Sequence, residues 1–256
     1  MEPVLDPRPI VEALPANLQR VRQRIAQAAR RAGRTPDAVR LVAVTKYVPL
    51  EVIEALLRLG VREIGENRVQ ALRQRAERLG CDPTPWPQPP GPAAAPRWHM
   101  IGHLQRNKVK HLLGVCRIVH SLDSPKLAAE IGKIARRLDP TGGLRIDTLI
   151  EVNVSGEESK HGVTPDELPA LVEAVASEPA IRLRGLMTMA PYVEDPERTR
   201  PVFAKLRELA GRLRERGLVG EGFNELSMGM SNDFEVAIEE GATIVRLGSV
   251  LYETGD

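Results

Sequence analysis

Lys46 closes the stretch LVAVTKYVP, where four apolar residues and a threonine lead to a lysine before a proline ends the run. Basic residues in this chain are mostly arginine, and only seven of the 36 are lysine. Arginine keeps its proton in proteins. A lysine ammonium starts near a pKa of ~10.4 and falls when water is removed from it, which leaves an amine able to form a Schiff base with a carbonyl. The plainer alternative is a lysine that snorkels off a strand end with its head in water. Two other places carry chemistry. Arg246 in TIVRLGS is followed by Gly248 and Ser249, and Ser231 in SMGMSNDFEVAIEEG follows Gly229. Glycine lets backbone come close, and a serine at a helix N-cap has free N–H groups behind it, a combination that suits a phosphate. Both are also ordinary turn and cap residues, and Asp233 in the first turn works against an anion. An inward arginine near a lysine needs an acceptor, either a ligand between them or a carboxylate such as Glu66.

These residues need a scaffold that brings them together. Short runs rich in Val, Ile and Leu alternate with stretches of helical period, the pattern of a parallel sheet with crossover helices. LVAVTK, REIGEN, RWHMIG, RIVHSLD, DTLIEVNV, IRLRGLMTM, NELSMGM and TIVRLGS make eight candidate strands. Eight βα units predict an α/β fold of the single (β/α)8 TIM-barrel kind, preceded by an extra helix carrying Leu14, Leu18, Val21 and Ile25. One domain over residues 1–256 is expected. The proline-rich segment 82–96 reads as a loop inserted between a helix and a strand, hence on the face away from the site. In a barrel the strand ends meet at one mouth, so Lys46 and Arg246, on neighbouring strands, would face each other. Alternation would set Val44 and Val42 beneath Lys46 and partly desolvate its ammonium. Asn67 and His99 are further candidates to line the mouth and orient a ring, against the commoner role of buried, hydrogen-bonded side chains. Met187, Met228 and Met230 read as packing residues. Lys160 in SGEESKHG is a second amine on the same face.

A lysine nucleophile, an arginine and a phosphate cradle together describe a ligand with an aldehyde, a ring nitrogen and a phosphate, which is pyridoxal 5'-phosphate. VAVTK, GENRVQ, WHMIGHLQRNK, EVNVSGEESKHG, GLMTMAP and LSMGMSNDFEVAIEEGATIVRLGSVLY resemble the pyridoxal phosphate homeostasis protein family, single-domain barrel relatives of alanine racemase with the type III fold of enzymes that use this cofactor. The resemblance runs from about residue 10 to 253. It implies that Lys46 carries the Schiff base, that Arg246 lies at the pyridine nitrogen, and that Ser231, Gly248 and Ser249 hold the phosphate. Asn67 and His99 match positions that line the pocket. The segment 82–96 and a short N-terminal extension depart from the family pattern without touching those positions.

The function so implied is intracellular carriage and buffering of pyridoxal phosphate, with effects on amino-acid and keto-acid balance and with cofactor-dependent apoenzymes as recipients. A racemase or decarboxylase is the alternative. Alanine racemases add a C-terminal β domain that supplies a second acid/base, and the chain given ends at Asp256, directly after the eighth strand. A Schiff-base aldolase would take its lysine from a later strand. A nucleic-acid module has only HLQRNKVKHLL behind it, and a net charge of +2 gives no electrostatic reason for one. The longest apolar runs fall short of the roughly 20 residues that span a bilayer, the N-terminus lacks the form of a signal peptide, and Cys81 and Cys116 form no C-x-x-C pair. A cytoplasmic monomer without a metal site is expected.

Overall fold

The computed structural model describes residues 6–82, 95–157 and 161–254. Its strands are β1 (Arg40–Val44), β2 (Glu63–Glu66), β3 (Arg97–Met100), β4 (Ile118–Leu122), β5 (Ile146–Glu151), β6 (Ile181–Met187), β7 (Glu225–Ser227) and β8 (Ile244–Leu247). They pair in parallel in chain order, and β1 closes the barrel by pairing with β8, with Val42 opposite Arg246. Each of the eight apolar runs becomes one strand, because the crossovers bury the outer face and closure of the barrel buries the inner one. The helices are α1 (Pro7–Arg31), α2 (Leu50–Arg58), α3 (Val69–Leu79), α4 (Val109–Leu112), α5 (Pro125–Leu138), α6 (Leu168–Ala176), α7 (Arg200–Glu215), α8 (Phe234–Glu239) and α9 (Ser249–Tyr252).

The expected extra helix is α1. Leu14, Leu18, Val21 and Ile25 are all buried, and the helix packs on α2, α8 and α9. Asn17, buried on the same helix, donates to the Leu251 and Glu253 carbonyls at 3.1 and 2.8 Å. α1 therefore ties down the segment that follows β8, where Gly248 and Ser249 lie.

The barrel interior is layered. At the N-terminal ends of the strands, charges alternate in sign around the ring: Arg40, Glu63, Arg97, Asp147, Arg182 with Arg184, and Glu225. Arg97 pairs with Glu63 at 2.9 Å, Arg182 and Arg184 hold Asp147 at 2.7 and 2.6 Å, and Arg40 reaches Glu63 at 3.6 Å and Glu225 at 3.4 Å. Above the ring lies an apolar cluster of Val42, Ile118, Leu149, Met187 and Ile244. Alternation from Val42, Leu149, Met187 and Ile244 turns Val44, Glu151, Met189 and Arg246 toward the mouth.

Of the expected insertion, residues 83–94 lie outside the described residues. Its two ends meet: the Asp82 N–H donates to the Pro96 carbonyl at 2.8 Å, and Trp98 Nε1 donates to the Gly80 carbonyl at 2.9 Å. The junction is at the N-terminal end of β3, away from the mouth. Replacing residues 83–94 by a two-residue Gly-Ser link is therefore expected to leave the melting temperature within roughly 3 °C, since shortening a surface loop changes closure entropy by only about 0.6 kcal/mol per halving. A drop of 10 °C in a thermal melt would show that the segment packs on the barrel.

Candidate functional site at the barrel mouth

Arg246 is the most constrained charge at the mouth. It is buried at 5 % exposure, its Nη1 donates to Ser227 Oγ at 2.6 Å, and its Nη2 donates to the Thr188 carbonyl at 2.9 Å. Both partners are neutral. Glu66, the carboxylate considered as an alternative partner, is engaged elsewhere by Thr45 and Arg75. Burial lowers the Arg246 guanidinium to about 10, with Glu151 and Asp233 acting against that drop, so it stays charged at neutral pH. Its Nε–H has no acceptor among the described residues. A buried, charged donor held in place by two of its five N–H groups, with Nε–H among those left over, is suited to a lone pair on a ligand.

Ser231 lies beside it on the loop after β7. It is three residues short of α8, whose N-cap is Asp233, so the sequence expectation that Ser231 caps this helix is corrected. Asp233 instead accepts from the Met230 N–H at 2.6 Å, and the Ser231 hydroxyl accepts from the Gly248 and Val250 N–H groups at 3.2 and 3.4 Å. Because a hydroxyl both donates and accepts, a phosphate arriving here could take both N–H groups and the Ser231 O–H together. Gly229 makes the close approach possible. Its φ is +92°, and a Cβ there would stand 2.6 Å from Ala237 Cβ. Gly248 is partly exposed and Ser249 exposed, the latter opening α9.

Lys46 differs from expectation in its setting. β1 ends at Val44, so Lys46 sits two residues later in a turn, where it is exposed rather than sunk above Val44, and its Nζ lies 4.9 Å from the Tyr47 ring centre. The turn itself is fixed from below. Arg75 of α3 donates to the Thr45 and Val48 carbonyls at 2.6 and 2.8 Å and pairs with the fully buried Glu66, which accepts from Thr45 Oγ1 at 2.6 Å. One guanidinium thus clamps the backbone on either side of Lys46.

Asn67 is partly exposed and packs by its backbone against Gly102, where a Cβ would be 2.8 Å from Asn67 Cα. His99 does not offer a ring nitrogen to the mouth. It is wholly buried, with Nε2 at 2.7 Å from Glu63 Oε2 and Nδ1 at 2.9 Å from His120 Nε2. Lys160 lies outside the described residues. The structure adds Ser227, Thr188, Arg75 and Glu151 to the site. Each of the first three positions a neighbour, and only their place on strand ends or on the helix after β2 marks them in the sequence.

Glu151, at the end of β5, is 3 % exposed and its carboxyl makes no hydrogen bond among the described residues. Burial raises it to about 7, opposed by Arg246 and reinforced by Asp123. A carboxyl whose folded value exceeds its unfolded one binds more protons when folded, so its contribution is present below about pH 4.5 and lost as pH rises through about 7. Glu151→Gln is therefore expected to flatten the pH dependence of stability between pH 5 and 8, with a gain at pH 8 of up to about 3 kcal/mol. Urea unfolding at several pH values checks it, and an unchanged slope would contradict the burial argument.

The fold and this mouth define a class, the barrel of the alanine racemase N-terminal domain, whose family matches residues 16–255. Among characterised relatives, a pyridoxal phosphate homeostasis protein of Aquifex aeolicus is 46% identical over 92% of this chain and 95% of its own length. The human protein of the same name is 35% identical over 93% of this chain and 86% of its own. The structure of PipY from Synechococcus elongatus, with PLP bound, is 30% identical with a TM-score of 0.72, covering 90% of this chain and 100% of that one. The chain belongs to the pyridoxal phosphate homeostasis protein family. Alanine racemase from Corynebacterium glutamicum, at 17% identity and a TM-score of 0.62 over 60% of its length, shares the fold. Among the described residues no helix is long and apolar enough to cross a membrane.

Proposed function

We propose that this chain binds pyridoxal 5'-phosphate as a Schiff base on Lys46 and works in intracellular homeostasis of the cofactor, without committed catalysis. The observation that carries the reading is the buried Arg246 with its unused Nε–H, at the same mouth as the Ser231, Gly248 and Val250 donors. The arrangement offers one acceptor-seeking charge for a ring nitrogen and, beside it, uncharged donors for a phosphate. Lys46, in its clamped turn after β1, is the amine on the same rim. The PLP-bound PipY structure and the shared family support the same cofactor here.

Bound, the cofactor would supply a reactive aldehyde and an electron-withdrawing ring. Arg246 limits how far that ring is used. A permanent cation at the ring nitrogen disfavours a second positive charge there, and the nitrogen must be protonated for strong electron withdrawal. The site would therefore hold and release the cofactor, with apoenzymes as the recipients and a cytoplasmic monomer as the working form. Amino-acid racemisation or decarboxylation is the competing activity.

Titration of the purified protein with pyridoxal phosphate, followed by borohydride reduction and peptide mapping, tests the binding half. One equivalent of label on Lys46 is expected. The loaded protein is then offered a panel of L- and D-amino acids. Turnover on the order of 1 per second or faster would make it an enzyme and overturn the carrier reading.

A further inference from the structure

Below the mouth, five side chains from five strands touch in file through the barrel. Glu63 on β2 meets His99 on β3 at 2.7 Å, and His99 meets His120 on β4 at 2.9 Å. His120 meets Ser227 on β7 at 2.9 Å, and Ser227 accepts from Arg246 on β8 at 2.6 Å. All five are buried. The file begins in the charged ring at the barrel's base and ends at the guanidinium of the mouth.

The proton positions in this file follow from its ends. Arg246 can only donate, so Ser227 Oγ must accept from it. The Ser227 hydroxyl proton then needs an acceptor, and the neighbour in reach is His120 Nδ1. With Nδ1 accepting, the neutral His120 ring carries its proton on Nε2 and donates to His99 Nδ1. His99 in turn carries its proton on Nε2 and donates to Glu63. Every bond points the same way, from the cation at the mouth toward the carboxylate at the base. The opposite arrangement would give Ser227 two donors and leave its own hydroxyl proton without an acceptor among the described residues. Burial, with His99 and Arg246 next, holds His120 well below the ordinary histidine range, which agrees with a neutral ring.

We propose that Ser227 and His120 are positioning residues for Arg246, and that the one-way file of hydrogen bonds carries the influence of the Glu63 carboxylate to the mouth, so that an arginine with no bonded carboxylate is held fixed toward its ligand. Aligned hydrogen bonds polarise one another, so Ser227 Oγ becomes a stronger acceptor than an isolated serine. A bonded carboxylate would fix Arg246 too, but it would cancel the charge the ligand is to meet. The file supplies orientation from a distance and leaves the charge exposed to the ligand. The proposal rests on the reading of Arg246 as the group facing a pyridine nitrogen.

Two measurements test it. In uniformly 15N-labelled protein without added cofactor, long-range proton–nitrogen correlation reads the imidazole tautomers directly. A proton on Nε2 of both His99 and His120 is expected, and a His120 proton on Nδ1 would overturn the one-way file. Second, the dissociation constant and absorbance maximum of bound pyridoxal phosphate are compared across variants. Ser227→Ala should weaken binding about tenfold and shift the maximum, as loss of a hydrogen bond to a charged group does. Ser227→Thr, which keeps the hydroxyl, should restore both. His120→Leu should reproduce part of the loss, and His120→Gln, whose amide can accept from Ser227 and donate to His99, should recover it. Wild-type affinity and spectrum in both Ser227→Ala and His120→Leu would sink the proposal. Should the wild-type protein take up no pyridoxal phosphate, the cofactor reading fails, while the tautomers still decide the file.

Discussion

Lys46→Ala is expected to abolish the borohydride-stable label and the yellow absorbance of the cofactor-loaded protein while leaving its melting temperature almost unchanged. The structure separates the two outcomes. Lys46 is exposed, and its contact among the described residues is an exposed cation–π approach to Tyr47 at 4.9 Å. Such a contact contributes about 0.5–1 kcal/mol. No buried partner is left unpaired by truncation. Chemistry is lost because the other groups at this mouth among the described residues, a guanidinium, a carboxyl, hydroxyls and backbone N–H groups, cannot form a Schiff base with an aldehyde. Weaker, non-covalent uptake through Arg246 and the Ser231 loop should persist, visible as an absorbance that dialysis removes. A full equivalent of reduced label in the variant would move the assignment to another amine, Lys160 first.

The barrel was legible because each strand is an apolar run with its own turn signals, and a parallel strand buried on both faces needs nothing else. Arg246, Ser231 and Gly248 were legible for a related reason: the chain order fixes that loops after strands share one mouth. What the sequence hid is pairing. REIGEN, RWHMIG, DTLIEVNV and NELSMGM all carry a charge at or next to their first residue, and the structure pairs these charges across strands at the base, Arg97 with Glu63, Asp147 with Arg182 and Arg184, and Glu225 with Arg40. No spacing rule reveals a ring closed by residues 40 and 225. His99 reads from the sequence either as a mouth residue or as a buried, hydrogen-bonded one, and it takes the second role, because inward residues on one strand serve several layers and its partner Glu63 lies at the lower one. The apolar run points to Lys46 at a strand end, but the strand ends at Val44, the last cross-strand bond is the Thr45 N–H to the Gly65 carbonyl at 3.0 Å, and the lysine belongs to the turn.

That turn sets the second large effect, in Arg75. Arg75→Met should lower stability by ~3–5 kcal/mol, the cost of stranding a buried charge after its partner is removed. Glu66 is fully buried, and its remaining bonded donor would be the Thr45 hydroxyl at 2.6 Å. For a chain of this size, roughly 2–4 °C is lost per kcal/mol, so the melt should fall by about 10 °C. A site effect should follow from the same change. The Thr45 and Val48 carbonyls lose the guanidinium that spans them, so the Lys46 turn loosens and the amine samples more positions before meeting an aldehyde. Label formation in the folded variant, measured well below its melt, should slow several-fold while the final stoichiometry holds. Arg75→Met combined with Glu66→Gln separates the two consequences. Removing both charges should recover most of the stability, because a buried pair replaced on both sides costs little. It should not recover the rate, because nothing new spans the turn. If the double variant regains both, the clamp acts only through the stability of the barrel, and Arg75 has no part in presenting Lys46.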